Sequence, residues 1–318
     1  MKNIYSNIYQ PNLFNLKKAK KNIEKNNVIA LPTETVYGLA GNAYSSKSIK
    51  KIYKLKKRPS FNPLIIHYQN LKNLKNDVIL NDSFIKLYKA LCPGPITFIL
   101  NKNPRSKVSK IASAGKKTIA VRLPQHKVAR NFLKIINVPL AAPSANISSH
   151  LSPTCAEDVV DEFGGKIKFI LDGGQCKIGL ESTIVDLTNK PTILREGIIS
   201  AKQIKKILGK KIFTIKKPKV YSSPGQLKFH YSPGIPVFLN KIRHKKNGAF
   251  IVFGKKFKNK KNYFNLSKSG DLRKAANNLY KIMRKIKKAN FKSISVCKIP
   301  SKGIGIAIND RLKKASSK

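Results

Sequence analysis

Residues 31–62 read LPTETVYGLAGNAYSSKSIKKIYKLKKRPSFN, and the apolar run PLIIHY follows directly. Apolar residues have helical spacing up to the lysines at residues 54–57, and the sequence after them has the pattern of a strand. Lys56 and Arg58 bring two positive charges next to Ser60 and Asn62 at this junction. Because small hydroxyls, amides and fixed cations at such a junction can cradle phosphates, the stretch predicts a binding site for a polyanion.

Two segments far downstream add further small hydroxyls and amides, APSAN at residues 142–146 and ESTIVD at residues 181–186. No serine in these motifs sits in a nucleophile elbow, and no Cys/His pair has metal-ligand spacing. The cysteines lie far apart without a CxxC motif and are interpreted as isolated thiols: Cys92, Cys155, Cys176 and Cys297. The pattern therefore favours catalysis by substrate positioning and electrostatics, with no protein-bound zinc and no disulfide framework.

The chain has 318 residues, enough for two domains and at least one sizeable core. Hydrophobic residues make up 41% of it, and no apolar run approaches the roughly 18 residues of a membrane span. The start, MKNIYSNIYQ, lacks the apolar stretch of a secretory signal. We expect a globular, cytoplasmic protein without a membrane partner.

The chain is strongly basic, with 65 Lys and Arg against 14 Asp and Glu and a formal net charge of +51. A field of that size attracts polyanions whatever the fold. The lysines are dispersed along the whole sequence together with many Asn, Ile, Phe and Tyr residues, which is also the pattern of an AT-rich coding bias. Stacking aromatics are only loosely interleaved with the basic residues. The charge thus predicts weak tRNA binding at most.

Strand-like and helical segments alternate along the chain, which is typical of an α/β fold. Strand patterns occur at VIAL, PLIIHY, TFIL, TIAVRLP, PLAAPS, KFILD, STIVDL and TILRE. Helical patterns occur at residues 13–25, 46–56, 83–91 and 127–136. Thr154 is predicted to cap a further helix that runs to Phe163 and ends at Gly164 and Gly165.

A serine-, proline- and glycine-rich break divides the chain. We predict a catalytic domain at residues 1–215, a linker or lid at 216–236 and a small α/β domain at 237–318. The last region contains AFIVFG and SISVCKI as strands, a long amphipathic helix and a final helix. Its GIGIAIN lacks the third glycine of a dinucleotide-binding fingerprint, so we interpret its glycines as turn residues.

With these residues in view, the chain resembles the YrdC-like family of L-threonylcarbamoyladenylate synthases, in the long form with a second domain. The KxR pair falls on Lys56 and Arg58 and the SxN pair on Ser144 and Asn146. PTETVYGL, RPSFNPL, ESTIVD, the linker SSPGQLKFHYSP and the ending IGIAINDRLKKA also match, in family order. Several motifs in the same order identify a family with high specificity, whereas a single KxR motif would not. Lys57 departs from the glycine that the family commonly has.

The resemblance implies a wide, twisted, mixed open sheet with a concave basic cavity, plus a smaller Rossmann-like domain. It also implies that L-threonine, bicarbonate and ATP, with Mg²⁺, give threonylcarbamoyl-AMP and pyrophosphate. The product would pass to the tRNA threonylcarbamoyl-transfer machinery, which modifies tRNA beside the anticodon. In-line attack on the α-phosphorus concentrates negative charge, so fixed cations and hydrogen-bond donors would provide the catalysis.

Matching the family motifs position by position implies two sets of ligand contacts. The ATP set is Lys56, Arg58, Asn62, Thr118, Ser144, Asn146, Ser152, Arg195 and Tyr231, with Lys56 and Arg58 as the catalytic pair. The L-threonine set is Thr35, His67, Arg122, Ala142 through its backbone, and Ser182. No metal ligand is assigned. His230 and Tyr231 in the linker would fold over the cavity as a lid that excludes water.

Several of these side chains also have an ordinary structural interpretation. Arg122 lies in an apolar strand, where an arginine either pairs with a buried acid or binds an anionic ligand; because acids are scarce, we expect the ligand. Glu34 and Glu181 could act as bases or metal ligands, but structural hydrogen bonding is the preferred interpretation. His67 is not assigned as a general base.

Two other functions stay open at this point. One is a non-catalytic double-stranded RNA or tRNA-binding module that uses the concave basic face and predicts salt-sensitive binding without ATP turnover. The other is a carbamoyl-handling relative with a different acyl donor. The complete KxR and SxN motifs and the long-form linker argue against this second function.

Overall fold

The computed structural model describes residues 4–214, 229–257 and 260–316. Most of the predicted linker, residues 216–228, lies outside the described residues. No helix in the described part of the chain has both the length and the apolar character needed to cross a bilayer.

The first part of the chain alternates strands and helices. Its strands are β1 (Ile8–Tyr9), β2 (Ile29–Leu31), β3 (Gly38–Asn42), β4 (Ile65–His67), β5 (Ile96–Asn101), β6 (Thr118–Arg122), β7 (Leu140–Ala141), β8 (Ile170–Leu171), β9 (Thr183–Asp186), β10 (Thr192–Arg195) and β11 (Phe213–Thr214). Its helices are α1 (Leu13–Glu24), α2 (Ser46–Lys56), α3 (Leu71–Leu74), α4 (Asp82–Leu91), α5 (Lys127–Ile136), α6 (Ala156–Phe163) and α7 (Ala201–Leu208).

Within the described residues these strands form one 11-stranded sheet in the order β1-β8-β2-β3-β7-β4-β6-β5-β9-β10-β11. The sheet is mixed, since β4 pairs with β6 in parallel while β7 is antiparallel to both β3 and β4. The parallel register sets His67 beside Arg122. Two residues that are 55 positions apart in the sequence thus emerge side by side at the end of adjacent central strands.

The helices form where polar caps and apolar spacing coincide. The Ser45 side chain accepts the backbone N–H of Ser48 at the start of α2. Helix α5 buries Ala129, Phe132, Leu133 and Ile136, the i, i+3, i+4, i+7 pattern of one helical face. These helices bury apolar side chains against the sheet. Polar side chains lie at the ends of the central strands, such as His67 at the end of β4 and Arg122 at the end of β6.

A second, smaller unit follows residue 236. It contains β12 (Val237–Phe238), β13 (Ala249–Val252), β14 (Tyr263–Asn265), α8 (Leu272–Lys288), β15 (Ile294–Val296) and α9 (Gly305–Ala315). Its strands form a parallel sheet in the order β12-β15-β13-β14. The predicted fold class, a mixed open sheet with a smaller C-terminal α/β unit, is confirmed.

Two local predictions differ from the structure. Strand β3 was not predicted, because its sequence, GLAGN, is rich in glycine. The reason is close packing of α2: a Cβ at Gly41 would lie 2.4 Å from the Ser48 Oγ. The prediction that Thr154 caps α6 is wrong; the cap is Cys155, which makes no side-chain cap hydrogen bond. Thr154 instead donates through its backbone and hydroxyl to Asp158, one turn into the helix.

The two units meet without a gap at Gly179. This residue adopts φ +75°, and a Cβ there would lie 2.7 Å from the Asn277 Cα and carbonyl oxygen of α8. Asn277 donates its side-chain N–H to the Cys176 carbonyl in the same loop. The loop that precedes ESTIVD is therefore pressed directly against the second unit, and only glycine permits both the backbone conformation and the close approach.

Gly179→Ala is expected to destabilise the protein beyond the cost of a left-handed conformation alone. The matched control is Gly174→Ala in the same loop, where φ is +69° but no atom lies within 4 Å of the added Cβ. The control should cost about 1–2 kcal/mol, and Gly179→Ala roughly 1–3 kcal/mol more, because backbone must shift. Urea denaturation measures both. Equal losses would show that the contact with Asn277 is not tight.

Candidate functional site

One cavity collects residues from the central strands of the first sheet, from the loops next to them, and from His230 and Tyr231 in the predicted lid. Its empty volume is about 520 Å³, including its open mouth. The structure brings the following predicted site residues together in its lining: Thr35, Arg58, His67, Arg122, Ala142, Ser144, Ser182, Arg195 and Tyr231. Arg58, Ser144 and Arg122 therefore open onto one shared hollow rather than onto separate surfaces.

The end of α2 delivers the KxR motif to this cavity. The chain leaves the helix through Lys57, whose φ of 48° and ψ of 41° are left-handed and ordinarily favour glycine. The glycine that the resemblance leads us to expect at this position would suit this conformation, and this chain carries lysine there. The turn sends Lys56 and Arg58 to different places. Arg58 lines the cavity, whereas Lys56 does not.

Arg58 is held by its own loop. Its Nε donates to the Asn62 carbonyl at 2.9 Å, and its Nη2 donates to the Asn62 Oδ1 at 2.6 Å and to the Pro63 carbonyl at 2.8 Å. Burial lowers the pKa of the Arg58 guanidinium to about 10, so it remains positively charged at neutral pH. Asn62 does not line the cavity; it fixes the guanidinium in place.

The Lys56 ammonium is fully buried under the loop after β7. It donates to the Ser144 carbonyl at 2.5 Å and to the Asn146 carbonyl at 2.6 Å. Burial, with a smaller effect from Arg58, lowers its pKa well below the usual value for lysine. Asn146 in turn donates to the carbonyls of Ile147 and His150. Lys56 and Asn146 thus brace the loop whose Ser144 faces the cavity.

Arg122 is hydrogen-bonded to side chains of the PTETVYG segment. Its Nη2 lies 2.7 Å from the Glu34 Oε1, and its Nη1 donates to the Thr35 Oγ1 at 2.9 Å. The expectation that Arg122 lacks an acidic partner is therefore wrong, because one of the few acids in the chain is placed against it. Its Nε has no hydrogen-bond partner among the described residues. The guanidinium lines the cavity with its orientation already set.

His67 lies beside Arg122 and is fully buried. Burial, reinforced by the Arg122 charge, lowers its pKa well below the usual value for histidine. The ring is thus neutral at physiological pH. Its Nδ1 has no partner in the described part of the chain. A neutral imidazole can bind a substrate group without adding charge.

Ser182, Arg195 and Glu181 form the wall opposite Arg58. Arg195 donates to the Ser182 carbonyl at 3.0 Å and to its Oγ at 3.1 Å, and the Ser182 Oγ lies 2.7 Å from the Thr97 Oγ1. The Ser152 hydroxyl donates to Glu181 at 2.5 Å. Ser152 is fully buried and does not line the cavity.

His230 and Tyr231 are the described residues of the predicted lid that reach the cavity. Both line it and both are buried. Tyr231 adopts φ 62°, and its hydroxyl is buried without a partner among the described residues. Burial lowers the pKa of His230 to about 3, so this ring is neutral as well.

The electrostatics of the cavity are asymmetric. Glu34 is ion-paired with Arg122, and Glu181 is ion-paired with Arg311 of the second unit. Within the described ranges, neither Arg58 nor Arg195 has an acidic side chain within ion-pair distance. Buried charges are normally paired. Two buried, unpaired guanidiniums on one cavity are suited to bind an anion with several oxygens.

Thr118 is the predicted site residue that the structure places apart. It begins β6 opposite Asn101, whereas Arg122 ends the same strand at the cavity, and Thr118 is not part of the lining. Sequence reasoning in turn missed Thr33, whose hydroxyl lies 2.8 Å from that of Thr35. The spacing of two positions between Thr33 and Thr35 was the available signal, because in an extended segment it places both side chains on one face.

The described residues do not fit a protein-held metal ion. They contain no cluster of three or more His, Cys, Asp and Glu side chains with suitable geometry. Moreover, the Glu181 carboxylate on the cavity and the Glu34 carboxylate beside Arg122 already accept hydrogen bonds from arginines. Glu34 also accepts the backbone N–H of Gln125. This agrees with the preferred structural interpretation of both acids.

Comparisons with known proteins cover nearly the whole chain. A family model described as "Telomere recombination" matches residues 21–197, and one described as "Threonylcarbamoyl-AMP synthase, C-terminal domain" matches residues 199–317. The threonylcarbamoyl-AMP synthase of Pyrococcus abyssi is 35% identical, with 92% of each chain covered. That of Bacillus subtilis is 34% identical, over 92% of this chain and 90% of the relative.

A solved structure agrees with these sequence matches. The crystal structure of P. abyssi Sua5 complexed with L-threonine superposes with a TM-score of 0.88 at 32% identity, covering 97% of this chain and 96% of that one. The similarity therefore extends over both units.

Glu181 should make stability depend on pH in the acid range. Burial alone would raise its pKa, but the Arg311 and Arg195 charges and the Ser152 hydroxyl hold it at about 2, below the ordinary value of 4.5. Because the folded state favours the ionised form, this contribution is present above about pH 4.5 and is lost as the pH falls towards 2; it is on the order of 3 kcal/mol.

We therefore expect the urea midpoint of Glu181→Gln to fall less steeply than that of the wild type between pH 4.5 and 2. Glu24→Gln, at an exposed acid on α1, serves as the control. Parallel curves for wild type and Glu181→Gln would contradict the assignment.

Proposed function

This chain belongs to the threonylcarbamoyl-AMP synthase family, and from that premise we propose how its cavity performs the reaction. The activity is a nucleotidyl transfer that forms threonylcarbamoyl-AMP for tRNA modification. We propose L-threonine, bicarbonate and ATP as the substrates that meet in the cavity, with Mg²⁺ entering on the triphosphate. Since the described residues do not build a metal site, no step is assigned to the ion.

The observation that carries this proposal is the pair of unpaired guanidiniums facing an oriented third one. Arg58 and Arg195 would bind phosphate oxygens, because each is buried, charged and free of an acidic partner in the described residues. Arg122, with Thr35 beside it, would bind the threonine carboxylate. Ser144, Ala142 and His67 line the same cavity as these three arginines.

The chemistry proceeds in two steps. The threonine amine attacks the carbon of carbon dioxide and loses a proton, or attacks bicarbonate with loss of water, and either route gives a carbamate. A carbamate oxygen then attacks the α-phosphorus of ATP; the new P–O bond forms while the bond to the β-phosphate oxygen breaks and pyrophosphate leaves. Negative charge accumulates on the equatorial oxygens, where Arg58 and Arg195 would stabilise it without reorganisation. Holding the two anions in line supplies the remaining acceleration.

The lining from the described part of the predicted lid fits this scheme. Tyr231 lines the cavity, and its hydroxyl is buried without a partner in the described part of the chain, which supports a nucleotide contact. His230 and Tyr231 both line the cavity and are buried, and in this proposal they would help to exclude water from the reactive anhydride. We propose that the reaction takes place in the cytoplasm, and that the product passes to the tRNA threonylcarbamoyl-transfer machinery. Weak direct binding of tRNA to the basic surface is a further proposal, testable by its salt dependence.

Pyrophosphate release should require all three substrates. Omission of L-threonine or of bicarbonate is expected to abolish release from ATP. Arg58→Ala is expected to lower kcat at least about 100-fold, the usual loss when one fixed donor to the transition state is removed. Arg105→Ala, at an exposed arginine, is the control and should behave as wild type. Release that ignores threonine would remove the proposed function, whatever the variant does.

Arg122→Lys should weaken threonine binding in particular. Lysine keeps the positive charge beside Glu34 but loses the forked geometry. Loss of one charge-assisted hydrogen bond, about 1.5–3 kcal/mol, should raise the KM for threonine roughly 10- to 100-fold, with a smaller effect on the KM for ATP. Arg130→Lys, at an arginine that bonds the Gln69 carbonyl, is the control. An unchanged KM for threonine would assign Arg122 a purely structural role.

A further inference from the structure

The second unit contacts the cavity wall from behind. Glu181 lines the cavity, yet two residues of the second unit hold its carboxylate: Arg311 of α9 donates to it at 3.0 Å and the Tyr280 hydroxyl of α8 lies 3.2 Å from both of its oxygens. The Arg311 side chain is completely buried, and that of Glu181 is 6% exposed. This contact joins residues 130 positions apart in the sequence.

Docking of the two units does not by itself account for this contact. A buried ion pair contributes little more to stability than apolar side chains of similar size would contribute, because both charges must be taken out of water. The same interface has other contacts, among them Asn277 on the Cys176 carbonyl and Lys288 on Asp161. We therefore look to the cavity for the role of the buried Arg311.

The role of Arg311 concerns its neighbour in the cavity wall, Arg195. Arg195 bonds the backbone and the hydroxyl of Ser182, the residue directly after Glu181. The Glu181 charge acts on Arg195, although within the described residues the two do not form an ion pair. Arg311 forms the ion pair with the Glu181 carboxylate instead. The Glu181 charge is thereby neutralised on the side away from the substrate, and the Arg195 guanidinium is left for an anion in the cavity.

The same two residues also hold Tyr231. The Arg311 guanidinium carbon lies 5.1 Å from the centroid of the Tyr231 ring, a cation–π contact. The Tyr280 ring stacks on Tyr231 at 5.9 Å between centroids. Two parts of the cavity lining, the wall at residues 181–195 and the closing tyrosine, therefore rest on one arginine and one tyrosine of the second unit.

We infer that Arg311 and Tyr280 are positioning residues for ATP: they retain Glu181 so that Arg195 stays available to phosphate oxygens, and they fix Tyr231 over the cavity. This inference rests on the proposed function, because it takes the nucleotide site as given. It assigns the second unit a part in forming the active site, in addition to any role it has in contacts with other molecules.

A double-mutant cycle on the full-length chain tests this inference. Arg311→Met keeps an unbranched apolar stem but removes the guanidinium and its charge, so Glu181 is expected to pair with Arg195. ATP affinity, measured by calorimetry, should then fall roughly tenfold or more, the scale of coupling within one hydrogen-bonded network. Adding Glu181→Gln removes the competing carboxylate, so the double variant should bind ATP several-fold better than Arg311→Met alone.

The controls separate positioning from loss of structure. Arg284→Met removes another arginine between the units, one that lies 3.5 Å from Asp158 and 3.6 Å from Glu162, away from Glu181. It should leave ATP affinity within about twofold of wild type. Thermal unfolding checks that each variant is folded. Arg311→Lys, which keeps the charge, should retain more affinity than Arg311→Met, and in turnover the effect should fall on the KM for ATP more than on kcat.

The outcomes are distinct. Additive losses in the cycle, or an equal loss in Arg284→Met, would overturn the inference, because Arg311 would then act through general stability and not through Glu181. Calorimetry does not need turnover. If wild type binds ATP and the cycle behaves as expected, but pyrophosphate release does not depend on threonine, the proposed function fails while the positioning role stands. If wild type does not bind ATP, both are wrong.

Discussion

A single buried ammonium group holds the cavity together. Lys56 ends α2, and its Nζ donates to the carbonyls of Ser144 and Asn146, 88 and 90 positions later in the sequence. An ammonium group at this depth has lost its hydration and must replace it with protein oxygens. The loop after β7 and the end of α2 are consequently fixed to one another. Arg58 projects from one side of that junction and Ser144 from the other, so the spacing of these two cavity-lining residues depends on this contact.

Periodic patterns in the sequence predicted most of the helices and the buried strands. Helices at 46–56 and 127–136 were predicted with the observed bounds, because capping and apolar spacing are local properties. Strand β3 could not be found in this way. Its glycines satisfy the packing of α2 against Gly41, a tertiary requirement that overrides strand propensity. Thr154 was misassigned as a helix cap because Asp158 offers it a carboxylate one turn later.

The family motifs predicted which residues line the cavity better than they predicted the ion-pair and hydrogen-bond partners of those residues. The motif residues Arg58, Ser144 and Arg122 are spread over the chain and converge on one hollow, whereas Lys56 and Asn146 turned out to support that hollow from behind. The acidic partner of Arg122 was missed because it is 88 residues away. Arg311 was missed for the same reason. Scarcity of acids in a chain of net charge +51 did not mean that arginines lack partners; the few acids are placed where buried cations need them.

The ion pair between Glu181 and Arg311 has a consequence for the order of events during biosynthesis. Proteins are made from the N-terminus, so the first sheet can emerge and fold while α9 is still being translated. The Glu181 carboxylate is then without its guanidinium partner until 130 further residues have been added. A nascent chain therefore cannot form the contact between Glu181 and Arg311 before Arg311 has left the ribosome, and products of premature termination upstream of this residue lack it.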